Sequence, residues 1–262
     1  MAELRLTLVE GYVLVPASIG GVAVHFVLDT GAEGILLEPA MAEMLQLPLR
    51  GMTRIHGSGG SQDARLVLLP GLRLGGAAVA AQVVPVAPLP IRLDAVPPVA
   101  GLLGSGVLLP FDLDLDVPGR RLGLSLAGDC PTPPGIVLPL ELTRSGEAFF
   151  PVRVNGQMLV AQLDTGTRPN LMTTAAARRL GIEIPTSANS ARGIDGRAIP
   201  LGHVQVRLAL GDGPEVVTPV SVGPVQVARG DMLLGLATLG LQRVWIGYGR
   251  REISVARRPP SG

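Results

Sequence analysis

The sequence predicts a mainly-β protein of two similar lobes with short helices, and three observations carry that prediction. An apolar strand ending in Asp-Thr-Gly occurs twice, as Phe26-Val27-Leu28-Asp29-Thr30-Gly31-Ala32 and as Ala161-Gln162-Leu163-Asp164-Thr165-Gly166-Thr167. The two aspartates stand 135 residues apart, about half of the 262-residue chain, so the chain reads as two copies of one unit. The composition, 35 Gly and 24 Pro against 16% charged residues, favours many short strands and turns over long helices.

The elements follow in the same order twice. Residues Glu3–Val15 alternate apolar and polar and read as a strand, Pro16–Gly21 as a turn, and Val22–Leu28 as the strand that delivers Asp29. In the second copy Phe149–Val154 is a strand, Asn155-Gly156 a two-residue hairpin turn, and Met158–Leu163 the strand before Asp164. A short helix comes next in each copy. Pro39–Leu47 carries Met41, Met44 and Leu45 at helical spacing and stops at Leu47-Pro48; Thr173–Leu180 has Thr173 or Thr174 as its N-cap and Gly181 as its stop.

A glycine-rich polar tip between extended arms is the next landmark, Thr53–Ser61 in the first copy and Ser190–Arg197 in the second. Gly57 and Gly193 keep nearly the same offset as the aspartates. That matched offset favours a pair of flaps, mobile hairpins that close over a ligand and exclude water, over ordinary exposed hairpins. Strands at Arg65–Leu74 and His203–Leu210 lead to Leu102-Leu103-Gly104 and Leu233-Leu234-Gly235. Each copy ends in strand, turn, strand: Phe111–Val117 and Arg121–Leu126, then Val244–Ile246 and Glu252–Val255. The expected division is a first lobe over 1–128, a linker over 129–136, a second lobe over 137–256 and a disordered tail over 257–262.

Paired carboxylates give a reason for two copies. Brought within a few ångströms they cannot both ionise; they share a proton, so one serves as base and the other as acid around one water. The glycine after each Asp-Thr is expected to supply a positive φ that aims the carboxylate out of the strand end. The threonine hydroxyls are placed to bond backbone across the junction of the two turns.

These motifs resemble the aspartic peptidases, especially the retroviral-type (retropepsin-like) lobe of bacterial aspartyl protease family proteins, with two lobes here fused in one chain. The resemblance covers nearly the whole sequence. It implies a bilobal pepsin/retropepsin-like acid protease fold of two β-barrel-like lobes and endopeptidase activity. Asp29 and Asp164 would be the catalytic pair, and Thr30, Gly31, Ala32, Thr165, Gly166 and Thr167 would support their loops. Ile55, His56, Gly57, Ser58 and Gly59, with Gly193, Ile194, Asp195 and Gly196, would form flaps over an extended polypeptide substrate. It implies no metal, no cofactor and a monomer acting as an internal pseudo-dimer. The competing reading is an inactive peptide-binding or scaffold module of the same fold.

Two departures stand out. The second position after each apolar-apolar-Gly holds Gly106 and Ala237, where bacterial relatives often carry Asp and retroviral ones Arg-Asn, so the usual lobe-to-lobe anchoring must come from elsewhere. The residue after each Asp-Thr-Gly is Ala32 in one copy and Thr167 in the other. In the family this position sits beside the outer carboxylate oxygen, so a hydroxyl at 167 predicts that Asp164 holds the charge and Asp29 the proton, with activity at mildly acidic pH.

Other function classes find little support. A formal net charge of +1 argues against a nucleic-acid partner, and all 22 basic residues are arginine. Cys130 is the only cysteine, which excludes an intrachain disulfide or a cysteine metal cluster. The run Asp112-Leu113-Asp114-Leu115-Asp116 lacks the glycine and glutamate of a calcium loop, and His25, His56 and His203 have no zinc-site spacing. Gly-x-Ser-x-Gly and phosphate-loop patterns are absent, and Arg229-Gly230-Asp231 is a lone tripeptide. The N-terminus does not read as a signal peptide, and Pro, Gln and Gly interrupt every apolar stretch short of ~18 residues. The expected compartment is the cytoplasm, or the periplasm or exterior if an export signal has been removed.

Overall fold

The computed structural model describes residues 2–185, 190–193, 195–227, 229–240 and 242–256. The expected tail at 257–262 and the flap residue Ile194 lie outside them. Among the described residues strands dominate, and the helices are four short pieces at Pro39–Met44, Ser105–Leu108, Thr174–Arg179 and Leu236–Leu239.

The N-terminal stretch is not one strand. Ala2–Arg5 and Thr7–Val9 precede a turn at Glu10-Gly11, and Tyr12–Ile19 follows, because both turn residues adopt positive φ (50° and 81°) and fold the chain back on itself. Pro16 lies inside the third strand rather than in a turn. It falls between the ladder with Thr7–Val9, which ends at Leu14, and the ladder with Leu72–Leu74, which begins at Ser18, so on that edge its missing N–H interrupts no pairing. Gly20-Gly21 makes the turn instead. The second lobe repeats this at the same offset of 135: Pro151 inside Ala148–Val154, then the Asn155-Gly156 turn with φ of 48° and 80°.

Each lobe wraps its strands around the one that leads to aspartate. In the first, Val22–Asp29 lies between the antiparallel Tyr12–Ile19 and the parallel Val99–Gly104, with Gly104 opposite Asp29. In the second, Gln157–Leu163 lies between the antiparallel Ala148–Val154 and the parallel Met232–Leu234. The second lobe closes on itself, because Ala148–Val154 also pairs with Gly202–Leu210. Thr173 caps the helix that follows the second Asp-Thr-Gly, its hydroxyl accepting from the Ala176 amide at 3.1 Å, and Gly181 stops that helix at φ 67°.

The terminal hairpins of the two lobes meet in one six-stranded sheet, in the order Ala2–Arg5, Arg121–Leu126, Phe111–Asp116, Arg243–Gly247, Glu252–Ala256, Ile136–Pro139. Its central seam, Phe111–Asp116 against Arg243–Gly247, joins the lobes strand to strand. One continuous apolar core runs from Phe26 and Leu28 through Leu113 and Ile246 to Phe150 and Leu163.

The lobe-to-lobe anchors occupy positions other than 106 and 237. Asp112 is fully buried, and its carboxylate accepts from the Gly128 amide at 2.8 Å and from the Gly249 amide of the other lobe at 3.1 Å. Asp114 takes a two-pronged ion pair from Arg243 across the seam, one prong at 2.7 Å. Arg168 reaches back to the first hairpin, donating to the Glu10 carbonyl at 3.0 Å and lying over the Tyr12 ring at 5.2 Å.

Candidate active site

Parallel pairing brings the two Asp-Thr-Gly loops to one point on the molecular midline. Thr30 and Thr165 are fully buried there and bond reciprocally. The Thr30 hydroxyl accepts from the Thr165 amide and donates to the Leu163 carbonyl, each at 3.1 Å. The Thr165 hydroxyl accepts from the Thr30 amide at 3.1 Å and donates to the Leu28 carbonyl at 2.9 Å. Four buried bonds thus fix the loops relative to each other, as the threonines' placement in the sequence suggested.

The glycines act differently from expectation. Neither Gly31 nor Gly166 has a positive φ. Each is required because its α-carbon lies against the opposite lobe's carboxyl: a β-carbon on Gly31 would stand 2.6 Å from Asp164 Cγ, and one on Gly166 would collide with the Asp29 carboxyl. Their amides also serve, Gly31 N–H donating to Asp29 Oδ1 at 3.1 Å and Gly166 N–H to Asp164 Oδ1 at 2.9 Å.

Asp29 and Asp164 therefore face each other, each carboxyl packed against the other loop's glycine. Burial pushes the Asp29 carboxyl up to about 6, against the pull of the Gly31 amide, the Asp164 carboxyl and the Ala32 amide. Asp164 is raised well above the usual carboxylate range, first by burial and then by the charge of Asp29. The two carboxyls titrate as one coupled pair that shares a proton. What reaches Asp164 from Thr167 is its backbone amide, while the Thr167 methyl is turned towards Gly235.

Strands Val99–Gly104 and Met232–Leu234 pass directly beneath the loops. A β-carbon on Gly104 would stand 2.6 Å from the Ala32 carbonyl oxygen, and one on Gly235 2.8 Å from that of Thr167. Three further residues support the loops. Ser105 is fully buried and donates from Oγ to the Thr30 carbonyl at 2.5 Å. Asn170 accepts from the Gly235 amide at 3.1 Å and donates to Thr238 Oγ1 at 3.0 Å. Gln162 donates from Nε2 to the Gly31 carbonyl at 3.2 Å, across the lobes. A sequence signal existed for Gln162 alone: it is a polar residue in an apolar strand, where the other copy has Val27.

The glycine-rich tips are hairpins of unequal length. Leu49–Gly57 and Gly60–Leu69 form a long arm turning at Ser58-Gly59, with Ile55 half-buried among Leu36, Ala64 and Leu102, and His56 exposed opposite Ser61. Ser190–Arg192 and Ala198–Pro200 form a short one, its tip closed by the Gly196 amide on the Gly193 carbonyl at 2.9 Å. The tips meet. A β-carbon on Gly59 would stand 2.5 Å from Ile199 Cδ1 and 2.7 Å from the Gly193 α-carbon, and Gly60 lies against the Asp195 carboxylate. The Ser58 carbonyl accepts from the Gln226 amide at 2.7 Å, tying the first tip to the second lobe. A groove lined by Gln62, Pro88–Arg92 and residues 192, 193, 195 and 196 stays open beside the second tip.

The family model described as aspartyl protease matches the chain twice, over residues 15–107 and 150–238, once in each lobe. No curated protein matches it. The two matches span well over half of the 262 residues and each contains one Asp-Thr-Gly loop, so the chain belongs to the aspartyl protease family, in a two-lobed, retropepsin-like form.

Proposed function

We propose that this chain is an aspartic endopeptidase that hydrolyses peptide bonds between its lobes, with Asp29 as base and Asp164 as acid. The observation that carries the reading is the opposed pair of carboxyls, each held by its own loop amide and packed against the other loop's glycine.

Ionised Asp29 takes a proton from a water as its oxygen attacks the scissile carbonyl carbon, and protonated Asp164 gives its proton to the carbonyl oxygen. The resulting neutral tetrahedral diol collapses when Asp29 returns the proton to the departing amine and Asp164 recovers one from the diol. Both carboxyls end as they began. The flaps hold the polypeptide in extended form by backbone hydrogen bonds, in the manner of an added strand. Because the chain supplies both halves of the site, the working unit is a monomer.

Digestion of a complex peptide library, with and without pepstatin, tests this. The wild type cleaves and pepstatin blocks it, while Asp29→Asn and Asp164→Asn each abolish cleavage and keep the fold, since a pair of this kind works as a unit. Near-wild-type turnover in either variant would sink the assignment of the pair, and a folded wild type that cleaves nothing would leave the inactive peptide-binding reading.

A further inference from the structure

Gln162 breaks the internal repeat at a sensitive place. It lies two residues before Asp164, as Val27 lies two residues before Asp29, so strand alternation puts each on the same face as its aspartate. Both positions are buried, Gln162 at 4% exposure and Val27 at 0%. A buried amide in an apolar strand needs a partner, and Gln162 finds one in the other lobe, donating from Nε2 to the Gly31 carbonyl at 3.2 Å. Valine can offer nothing equivalent to Gly166.

The Gly31 carbonyl and the Ala32 N–H belong to one peptide group. A hydrogen bond accepted at the carbonyl oxygen polarises that group and strengthens what its N–H donates. The Ala32 N–H donates to the Asp29 main-chain carbonyl at 3.2 Å and is one of the groups that favour ionised Asp29, while the Gly31 N–H of the same loop donates to Asp29 Oδ1 at 3.1 Å. The corresponding Thr167 amide serves Asp164, but its peptide group receives no such bond from position 27. Among the described residues, the charged group acting on each carboxyl is the other carboxyl, so a single added hydrogen bond on one side has no competing charge to overcome.

We propose that Gln162 is a positioning residue that breaks the symmetry of the carboxyl pair: by holding the Gly31–Ala32 peptide group it steers the negative charge to Asp29 and leaves the proton on Asp164. The assignment of roles rests on the peptidase reading; the placement of charge does not.

The test is residue-by-residue titration of the aspartate carboxyl carbons by 13C NMR, alongside the pH–rate profile on a cleaved peptide. In Gln162→Leu the lower apparent pKa of the pair should rise by about half a unit to one unit, and the acidic limb of the rate profile should move with it. In the double exchange Val27→Gln/Gln162→Val the carboxyl that ionises first should change from Asp29 to Asp164. Gln162→Met, unbranched and close in length, replaces the leucine variant if that chain does not fold. An unmoved titration in a folded Leu or Met variant, or Asp29 still ionising first in the exchange, overturns the proposal even if the wild type cleaves peptides. Titrations that move as stated in a protein that cleaves no peptide leave the proposal standing and remove the peptidase reading.

Discussion

Gly31 and Asp164 touch across the lobe boundary: the α-carbon of one loop forms part of the wall that holds the other loop's carboxyl. The relationship predicts that Gly31→Ala acts on the opposite lobe's aspartate. The methyl must displace Asp164 or part the loops. Turnover should fall by about a hundredfold or more, because misplacement of a reacting group by about 1 Å costs that much. Stability should fall by about 1–3 kcal/mol, as for overpacking elsewhere. Peptide cleavage and urea unfolding measure the two effects.

The reciprocal threonines predict a large, conservative-looking loss. Thr30→Val and Thr165→Val keep the shape but delete a buried hydroxyl that accepts from one amide and donates to one carbonyl. Each should lower the unfolding free energy by about 2–4 kcal/mol, mainly by leaving those backbone groups unpaired. Thr→Ser at either position should restore most of it.

The pair also shapes stability against pH. An aspartate whose folded-state pKa exceeds its unfolded value binds more protons folded than unfolded between the two. Its stabilising contribution is therefore fully present below about 3.8 and is lost as pH rises through about 6 for Asp29, with the Asp164 contribution, raised likewise, lost in the same sense. Thermal unfolding should show a midpoint that declines across this window, and Asp29→Asn and Asp164→Asn should each flatten the decline. On the same grounds the acidic limb of activity should lie near pH 6, as a property of the coupled pair.

Two anchors between the lobes should differ sharply in strength. Asp112, fully buried and bonded to amides of both lobes, should cost about 2–4 kcal/mol on replacement by alanine. Asp114 and Arg243 pair near the surface, and breaking that bridge should cost under about 1 kcal/mol and less at high salt. Denaturant unfolding of Asp112→Ala and Arg243→Ala compares them directly.

The first flap is tied down by a backbone bond, so its test is a proline. Gln226→Pro removes the amide that the Ser58 carbonyl accepts, whereas Gln226→Ala keeps it. Only the proline variant should speed hydrogen exchange at residues 55–62 and lower KM, with the second tip unchanged. Equal exchange in both variants would show that the Gly59 packing alone holds the tip.

The repeat made the architecture readable. Turns, helices and glycines recur at an offset of 135 or close to it, and local chemistry announces each, as at Asn155-Gly156 and the Thr173 cap. Pro16 misled because a proline is silent about whether its edge of the strand is paired. The glycines of the loops misled because conformational freedom is a local property, whereas their real constraint is a carboxyl 133 residues away for Gly31 and 137 for Gly166. Bonds such as Ser105 to Thr30 and Asp112 to Gly249 have no period and no neighbouring signal, and Gln162 shows only as a polar residue in an apolar strand, without its partner Gly31; such bonds exist only once the sheets bring distant segments together.

The central sheet shared by the two lobes also bears on how such a site can change. Were its halves separate identical chains, any substitution at the midline would appear on both sides at once, and the carboxyl pair would stay symmetric. With both halves on one polypeptide, position 162 accepts glutamine while position 27 remains valine, and position 105 accepts serine while position 236 remains leucine. The covalent link thus frees each half to diverge alone, which is what permits two chemically identical aspartates to be given different work.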